Sequence, residues 1–136
     1  MKKFLFVTLL SLSFFGCAKS ILITYSYDQS SSGGKLVVIP DKAIEGVNFV
    51  MNDRLLVQKK YISKITVENV PAGDHKISMT CASWYYKDPL NYVDSVRIEP
   101  NKEVTKLVPT PPYSTGYYLY LIGEIGLSAL LLVLVL

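Results

Sequence analysis

The sequence predicts a mainly β protein, a small antiparallel β-sandwich with a hydrophobic segment at each end. Two observations lead to this fold class. Short strand-like segments with turn residues between them fill the middle of the chain, and apolar residues concentrate at residues 4–15 and 119–136. The middle has about 90 residues, which suffices for one hydrophobic core and not for two.

Strand signals recur along this middle part at the spacing typical of an all-β domain. Apolar and polar residues alternate, which predicts one buried and one solvent-exposed face on each strand. For example, Ile77, Met79 and Cys81 alternate with Lys76, Ser78 and Thr80. Asparagine, aspartate, proline and glycine mark the turns between segments. The predicted strands are residues 20–27, 35–39, 46–51, 54–58, 61–68, 75–84, 92–99 and 103–108.

The charge balance argues against a nucleic-acid partner. The formal net charge is +3, and without Lys2 and Lys3 the chain carries 12 basic against 11 acidic groups. The basic residues are scattered, and no basic-aromatic groove pattern is visible. A polar loop, residues 28–35, contains Gly33 and Gly34 and is predicted to be flexible.

The N-terminus has the organisation of an export signal. Lys2 and Lys3 precede an apolar run that is short for a membrane span, as in signal peptides. The following residues, Phe14-Phe15-Gly16-Cys17, resemble the bacterial lipobox. This resemblance implies that residues 1–16 are removed and that Cys17 is diacylated, which attaches the chain to a membrane. The alternative is an ordinary cysteine that closes an uncleaved anchor helix.

Three segments of the middle carry a second resemblance: VNFVMNDR (47–54), ITVENVPAGDHKI (65–77) and VRIEPNK (96–102). Together they resemble PEGA-type domains, small transthyretin-like sandwiches of bacterial surface lipoproteins. The resemblance covers residues 36–109 and implies a non-enzymatic domain in the cell envelope.

The residues of the middle offer no recognisable catalytic, metal or cofactor site. His75 is the one histidine, and it would lie about 20 Å from Cys81 on a continuous strand, too far for a catalytic dyad. We therefore interpret Cys81 as a buried hydrophobic residue and His75 as a residue that hydrogen-bonds turn backbone. A pair of carboxylates for glycan hydrolysis has no positive support in the sequence.

An aromatic patch is the best candidate for binding in the middle of the chain. It consists of Trp84, Tyr85 and Tyr86, with Tyr92 shortly after. Such side chains stack on sugar rings or on a partner protein. The alternative is that alternate members fill the core and the others cover it.

The C-terminus is predicted to be a hydrophobic, membrane-associated helix, residues 117–136, long enough to be a transmembrane helix, after a stiff proline-rich spacer, residues 110–116. Four tyrosines near its start suit the interfacial aromatic belt. Gly123, Gly126 and Ala129 form a small-residue stripe for a helix contact, and Glu124 must be protonated, paired or shielded. A monotopic segment or a docking helix would also fit.

We therefore expect five regions: signal peptide (1–16), lipidated Cys17 with a first strand and loop (17–35), β-sandwich (36–109), spacer (110–116) and helix (117–136). The expected function is that of a lipid-anchored envelope protein, periplasmic or surface-facing, whose domain binds or scaffolds a partner. Expected partners are membrane lipid and an envelope protein or peptidoglycan, and a homo-oligomer is a further alternative. The alternatives are a subunit of a membrane assembly and, last, a cell-wall hydrolase.

Overall fold

The computed structural model describes residues 18–25 and 32–135, with side chains of the C-terminal helix described to Leu127. The signal peptide and Cys17 lie outside the described residues. Seven strands and one helix follow in order: β1 Lys19–Thr24, β2 Gly34–Pro40, β3 Ile44–Met51, β4 Arg54–Val70, β5 Gly73–Cys81, β6 Leu90–Ile98, β7 Glu103–Val108 and α1 Thr115–Val135.

The strands form one mixed sheet with the order β6-β5-β3-β4-β2-β7, and β1 pairs with β4 beside this path. The pairs β1–β4 and β2–β7 are parallel, and all others are antiparallel. The end strands β6 and β7 approach each other, so the sheet is nearly closed and barrel-like. The mainly β prediction is confirmed, whereas a small antiparallel β-sandwich was predicted and the structure has one mixed sheet with two parallel strand pairs.

The bent strand β4 explains this difference. It joins two predicted strands, 54–58 and 61–68, into 17 residues that would extend about 55 Å if straight. Lys59 adopts a φ of 45°, and its N–H donates to Asn48 Oδ1 at 3.1 Å. The first half of β4 pairs with β3 and the second with β1 and β2. One strand therefore supplies two sides of a single curved sheet.

The hydrophobic core lies inside the curved sheet, and alternate residues along the strands point into it. Along β5, His75, Ile77, Met79 and Cys81 are buried, while Lys76 and Thr80 are exposed. This alternation was predicted from the sequence and is confirmed. The largest fully buried side chains come from five strands: Leu36, Ile44, Phe49, Met51, Ile62, Ile65, Ile77, Met79 and Ile98.

Four segments at strand ends gather at one end of the sheet, which we call the turn pole: residues 33–34, 52–53, 71–74 and 99–102. His75 links two of these turns, because its ring contacts Asn52 Nδ2 and the Pro71 carbonyl oxygen, each at 2.7 Å. Asn101 N–H donates to Gly33 O at 3.2 Å and links the segment 99–102 to the segment 33–34. Asn52 and Asp53 both have positive φ, 48° and 61°, as a tight two-residue hairpin requires.

Gly33 and Gly34 belong to the packed turn pole. A Cβ on Gly34 would lie 2.4 Å from Ile98 Cγ2 and 2.5 Å from the Glu99 carbonyl oxygen. A Cβ on Gly33 would lie 2.7 Å from the Asn69 Cα. The sequence placed both glycines in a flexible loop, residues 28–35, whereas Gly34 begins β2 and both glycines approach neighbouring chain closely. Residues 28–31 of that loop lie outside the described residues.

The opposite end of the sheet, which we call the junction pole, comprises residues 40–45, 59–62, 82–90 and 109–114, with Lys19 at the start of β1. Ile62 pairs with both Ile44 and Lys19, so β1 starts at this pole. Thr110 donates from its N–H to Asp41 Oδ1 at 3.0 Å. The predicted proline-rich spacer is therefore hydrogen-bonded to the sheet rather than standing free of it.

Helix α1 begins at the junction pole, at Thr115. Leu119, Ile122, Ile125 and Leu127 are exposed on different sides of it. Within the described residues, no helix combines the length and the hydropathy that a membrane crossing requires.

Candidate functional site

Aromatic side chains connect the sheet to α1 at the junction pole. We call this cluster the aromatic junction: Trp84, Tyr85 and Tyr86 from the loop between β5 and β6, and Tyr113, Tyr117, Tyr118 and Tyr120 from the start of α1 and the residues before it. From the sequence, the three loop residues were predicted to form a binding patch, and the four tyrosines near α1 were predicted to lie in a membrane-interface belt. The structure brings both sets together.

Backbone hydrogen bonds fix the relative position of these two segments. Tyr86 and Tyr113 form an isolated antiparallel bridge. Lys87 N–H donates to Pro112 O at 2.9 Å, and Ser114 N–H donates to Tyr85 O at 2.8 Å. Residues 112–114 therefore act as a short strand along the loop.

Ser114 caps the helix and ties it to the loop. Its Oγ accepts from Tyr117 N–H at 3.1 Å and donates to Trp84 O at 2.8 Å. Serine is a favoured N-cap residue, because its oxygen satisfies an otherwise unpaired N–H of the first turn. The helix consequently starts two residues before the predicted position, 117.

The rings pack in offset and edge-to-face arrangements. Tyr113 stacks on Tyr86, with ring centroids 5.6 Å apart, and on Tyr117 at 4.6 Å. Tyr117 also meets Tyr85 edge-on at 5.3 Å. Such pairs stabilise by about 0.5–1.5 kcal/mol each beyond the area they bury.

Trp84 forms the outer edge of the aromatic junction. Its ring lies 4.4 Å from that of Tyr85 and meets the Tyr120 ring edge-on at 5.8 Å. The side chain is nevertheless 56% exposed. The outer part of the cluster therefore presents an indole ring to the surroundings.

Tyr86 forms the inner edge and belongs to the core. It is 7% exposed, and its hydroxyl accepts a hydrogen bond from Glu45 N–H at 3.1 Å. Burial raises the pKa of Tyr86 to about 12. Burial also raises the pKa values of Tyr85 and Tyr113, which are half-buried. These side chains serve packing in this structure, in line with the core-filling alternative.

Tyr92, the fourth predicted binding residue, lies outside the cluster. It sits on β6 and donates from its hydroxyl to Asp94 Oδ2 at 2.8 Å. Lys106 Nζ on β7 also donates to that oxygen at 2.8 Å. These contacts bridge the seam between β6 and β7. The hydrogen bond from Lys106, followed by those from Tyr92 and Ser95, lowers the pKa of Asp94 to about 2.

His75 and Cys81 are both engaged in structural hydrogen bonds. Asn52 donates to His75 Nδ1, so Nε2 carries the proton and donates to Pro71 O. This is the turn-backbone role predicted for His75. Cys81 Sγ donates to Glu45 O at 2.7 Å, and burial raises the pKa of its thiol. A raised pKa disfavours the reactive thiolate.

The predicted helix contact residues lie along α1. A Cβ on Gly123 or Gly126 would meet no atom within 4 Å, so both positions are open in the single chain. Glu124 is exposed and hydrogen-bonds Tyr120 one turn earlier, which raises the pKa of Tyr120. The side chain of Ala129 lies outside the described residues.

The contact of Tyr113 and Ser114 with the Trp84 loop was not predicted from the sequence. A serine directly before an apolar helical segment is a recognisable N-cap signal, and it would have moved the start of the helix. The pairing between residues 84–87 and 112–114 has no such local signal, because it depends on how the sheet folds.

The chemistry available at this site is packing, aromatic contact and hydrogen bonding. In the part of the chain that the structure describes, no group of three histidine, cysteine or carboxylate side chains could hold a metal ion. No protein-family model matches the chain, and no curated protein matches it at a significant level. The resemblances to the lipobox and to PEGA-type domains therefore stay predictions.

Proposed function

We propose that this chain is a lipid-anchored protein of the bacterial cell envelope whose β domain is a non-enzymatic scaffold or binding module. One observation carries the proposal. The first described strand, β1, starts at Lys19, two residues after Cys17, and it starts at the pole from which α1 also begins. Both segments that the sequence directs to a membrane therefore leave from the same end of the domain.

A continuous series of contacts links the start of β1 to the start of α1. Lys19 pairs with Ile62, and Ile62 pairs with Ile44. The next residue, Glu45, donates its N–H to the Tyr86 hydroxyl. Tyr86 in turn bridges to Tyr113 at the start of α1. A domain tethered at opposite poles could not place both ends against one membrane, whereas this arrangement can.

The aromatic junction supports an interfacial position. Tyrosine and tryptophan concentrate where apolar and polar phases meet, because each ring has an apolar body and a polar group. Beyond the junction, α1 exposes apolar side chains around its circumference, so we propose that it associates with lipid. The turn pole then points away from the membrane and is the surface left for an envelope protein or a glycan.

Metabolic labelling with a palmitate analogue tests the anchor. The full chain should incorporate label, and Cys17→Ser should abolish incorporation while leaving the unprocessed leader attached. Cys81→Ser is the matched control, because Cys81 is the other cysteine and is buried, and it should incorporate label like the parent chain. Unlabelled parent protein would overturn the proposal.

A second candidate function is that of a subunit in a membrane assembly. The open positions at Gly123 and Gly126 favour it, since glycine allows another helix to approach closely. Gly126→Leu should then abolish oligomers that crosslinking detects in the parent protein. Ile125→Leu changes the neighbouring position at constant volume and should retain them. Equal crosslinking of both variants would exclude this stripe as the contact.

A further inference from the structure

The lysines of the described chain are unevenly distributed between the two poles. Six of them lie on the junction pole or within two residues of it: Lys19, Lys42, Lys59, Lys60, Lys64 and Lys87. Five of the six are exposed, and Lys42 lies over the Tyr113 ring, 4.2 Å from its centroid. Lys42 therefore contacts the aromatic junction directly, and the other five lysines lie at or near the same pole.

Few carboxylates balance these charges. The acidic residues on the same pole are Asp41, Glu45 and Asp88, and Asp41 already accepts hydrogen bonds from Thr110. Within residues 18–25 and 32–127, none of the six lysines forms an ion pair. The pole thus carries an excess of three positive charges.

The turn pole differs in this respect. Its basic residues, Lys35, Arg54, Lys76, Arg97 and Lys102, equal its acidic residues in number, which are Asp53, Glu68, Asp74, Glu99 and Glu103. Lys35 pairs with Glu103 at 2.9 Å, and Lys102 pairs with Glu99. Positive charge is therefore concentrated at one end of a domain that is otherwise nearly neutral.

We propose that the junction pole is a docking surface for the anionic headgroups of a phospholipid bilayer. The inference rests on the proposed function, because the lipid anchor and α1 are what bring this pole to the membrane. Unpaired lysines near a surface of negative potential are attracted to it, and this attraction is screened by salt. The exposed Trp84 ring lies on the same pole as these lysines, and indole rings favour the depth where headgroups meet acyl chains.

Trp84 also provides the readout, because it is the one tryptophan of the chain. The full lipidated protein is reconstituted into phosphatidylcholine vesicles with or without 30 mol% phosphatidylglycerol. The vesicles contain a lipid brominated near the headgroup, which quenches a nearby indole. Quenching of Trp84 should rise at least twofold when phosphatidylglycerol is present, and 0.5 M NaCl should remove the increase.

Charge variants separate docking from anchoring. Changing Lys19, Lys59, Lys60 and Lys87 to glutamine should remove most of the increase that phosphatidylglycerol causes. Changing Lys76 and Arg97 to glutamine alters exposed charges on the turn pole and should leave the increase intact.

Two outcomes would overturn the proposal. One is quenching that is equal with and without phosphatidylglycerol in the parent protein, and the other is an equal loss in both sets of variants. Because every sample is first shown to carry the acyl label, either result would leave the lipid anchor standing and remove only the headgroup contact.

Discussion

The two poles of the domain are built from different interactions. At the turn pole, glycines without room for a Cβ and a buried histidine hold the turns together, and the charges are balanced. At the junction pole, rings pack against rings, Trp84 is more than half exposed, and lysines are unpaired within the described chain. The polar groups of the turn pole have partners within the domain, whereas the junction pole leaves an indole ring and ammonium groups that can contact another molecule.

This contrast separates residues that maintain the fold from residues available for function. Buried polar groups with every hydrogen bond made are costly to disturb, so changes at the turn pole should affect stability. Exposed charged groups contribute little to folding, so changes at the junction-pole lysines should affect association with lipid instead.

The largest loss of stability is expected from Gly34→Ala. Its Cβ would collide with the Glu99 carbonyl and Ile98, and backbone atoms cannot move aside as a flexible side chain can. We expect the free energy of unfolding to fall by about 3 kcal/mol, measured by urea denaturation of the full chain in detergent with circular dichroism. Gly116→Ala, where a Cβ has room, should be neutral or stabilising. Equal effects would contradict the close packing at β2.

His75→Ala is expected to have the next largest effect. The change leaves Asn52 Nδ2 and the Pro71 carbonyl without the ring that joins them, at a cost of about 2 kcal/mol in the same assay. Lys76→Ala, at the exposed neighbouring position, should change stability by less than about 0.5 kcal/mol. A His75 variant as stable as Lys76→Ala would show that the turns hold together without the ring.

Much of the β structure was predictable because strand alternation is a local signal. The last strand, Glu103–Val108, has the predicted bounds, and the core positions along β5 follow the predicted alternation. The sheet topology was not predictable, because two features depend on long-range pairing. These are the bend of β4 near Lys59 and the parallel pairing of β1 with β4.

The candidate site was predictable only in part for the same reason. The aromatic composition drew attention to Trp84, Tyr85 and Tyr86. Their contact with Tyr113 and Tyr117 requires the helix to return to the loop after about 30 residues of chain, which no local pattern encodes. Tyr92 looked equivalent in sequence, but its strand position directs it to Asp94 on β6.

Tyr86→Phe should have a smaller effect, because it removes one hydrogen bond and keeps the ring. The Glu45 N–H loses its acceptor, which costs about 1 kcal/mol. The pKa of about 12 gives a second signature. Between pH 10 and 12 the unfolded tyrosine ionises while the folded one keeps its proton, so stability falls as pH rises. Tyr86→Phe should lack this fall in stability between pH 10 and 12, and the control Tyr61→Phe should retain it.

The smallest effect on stability is expected from a change at Asp94, and it should be seen only at acidic pH. Its folded pKa of about 2 lies below the ordinary value of 3.8, so its contribution is complete above pH 4 and is lost as pH falls towards 2. Asp94→Asn should flatten stability across this window, as followed by acid titration of the unfolding midpoint. Asp88→Asn, at an exposed site, should keep the acid dependence of the parent. A parent profile that is flat between pH 4 and 2 would argue against the seam contact.

The most direct test of the account compares the depth of the two poles in the same membrane. Trp84 is retained in one protein, and in a second protein Trp84→Phe is combined with Lys102→Trp, which moves the indole to the turn pole. Both lipidated proteins are reconstituted with lipids brominated near the headgroup. The account predicts strong quenching of Trp84 and little or none at position 102. Equal quenching at both positions, or stronger quenching at 102, would contradict it.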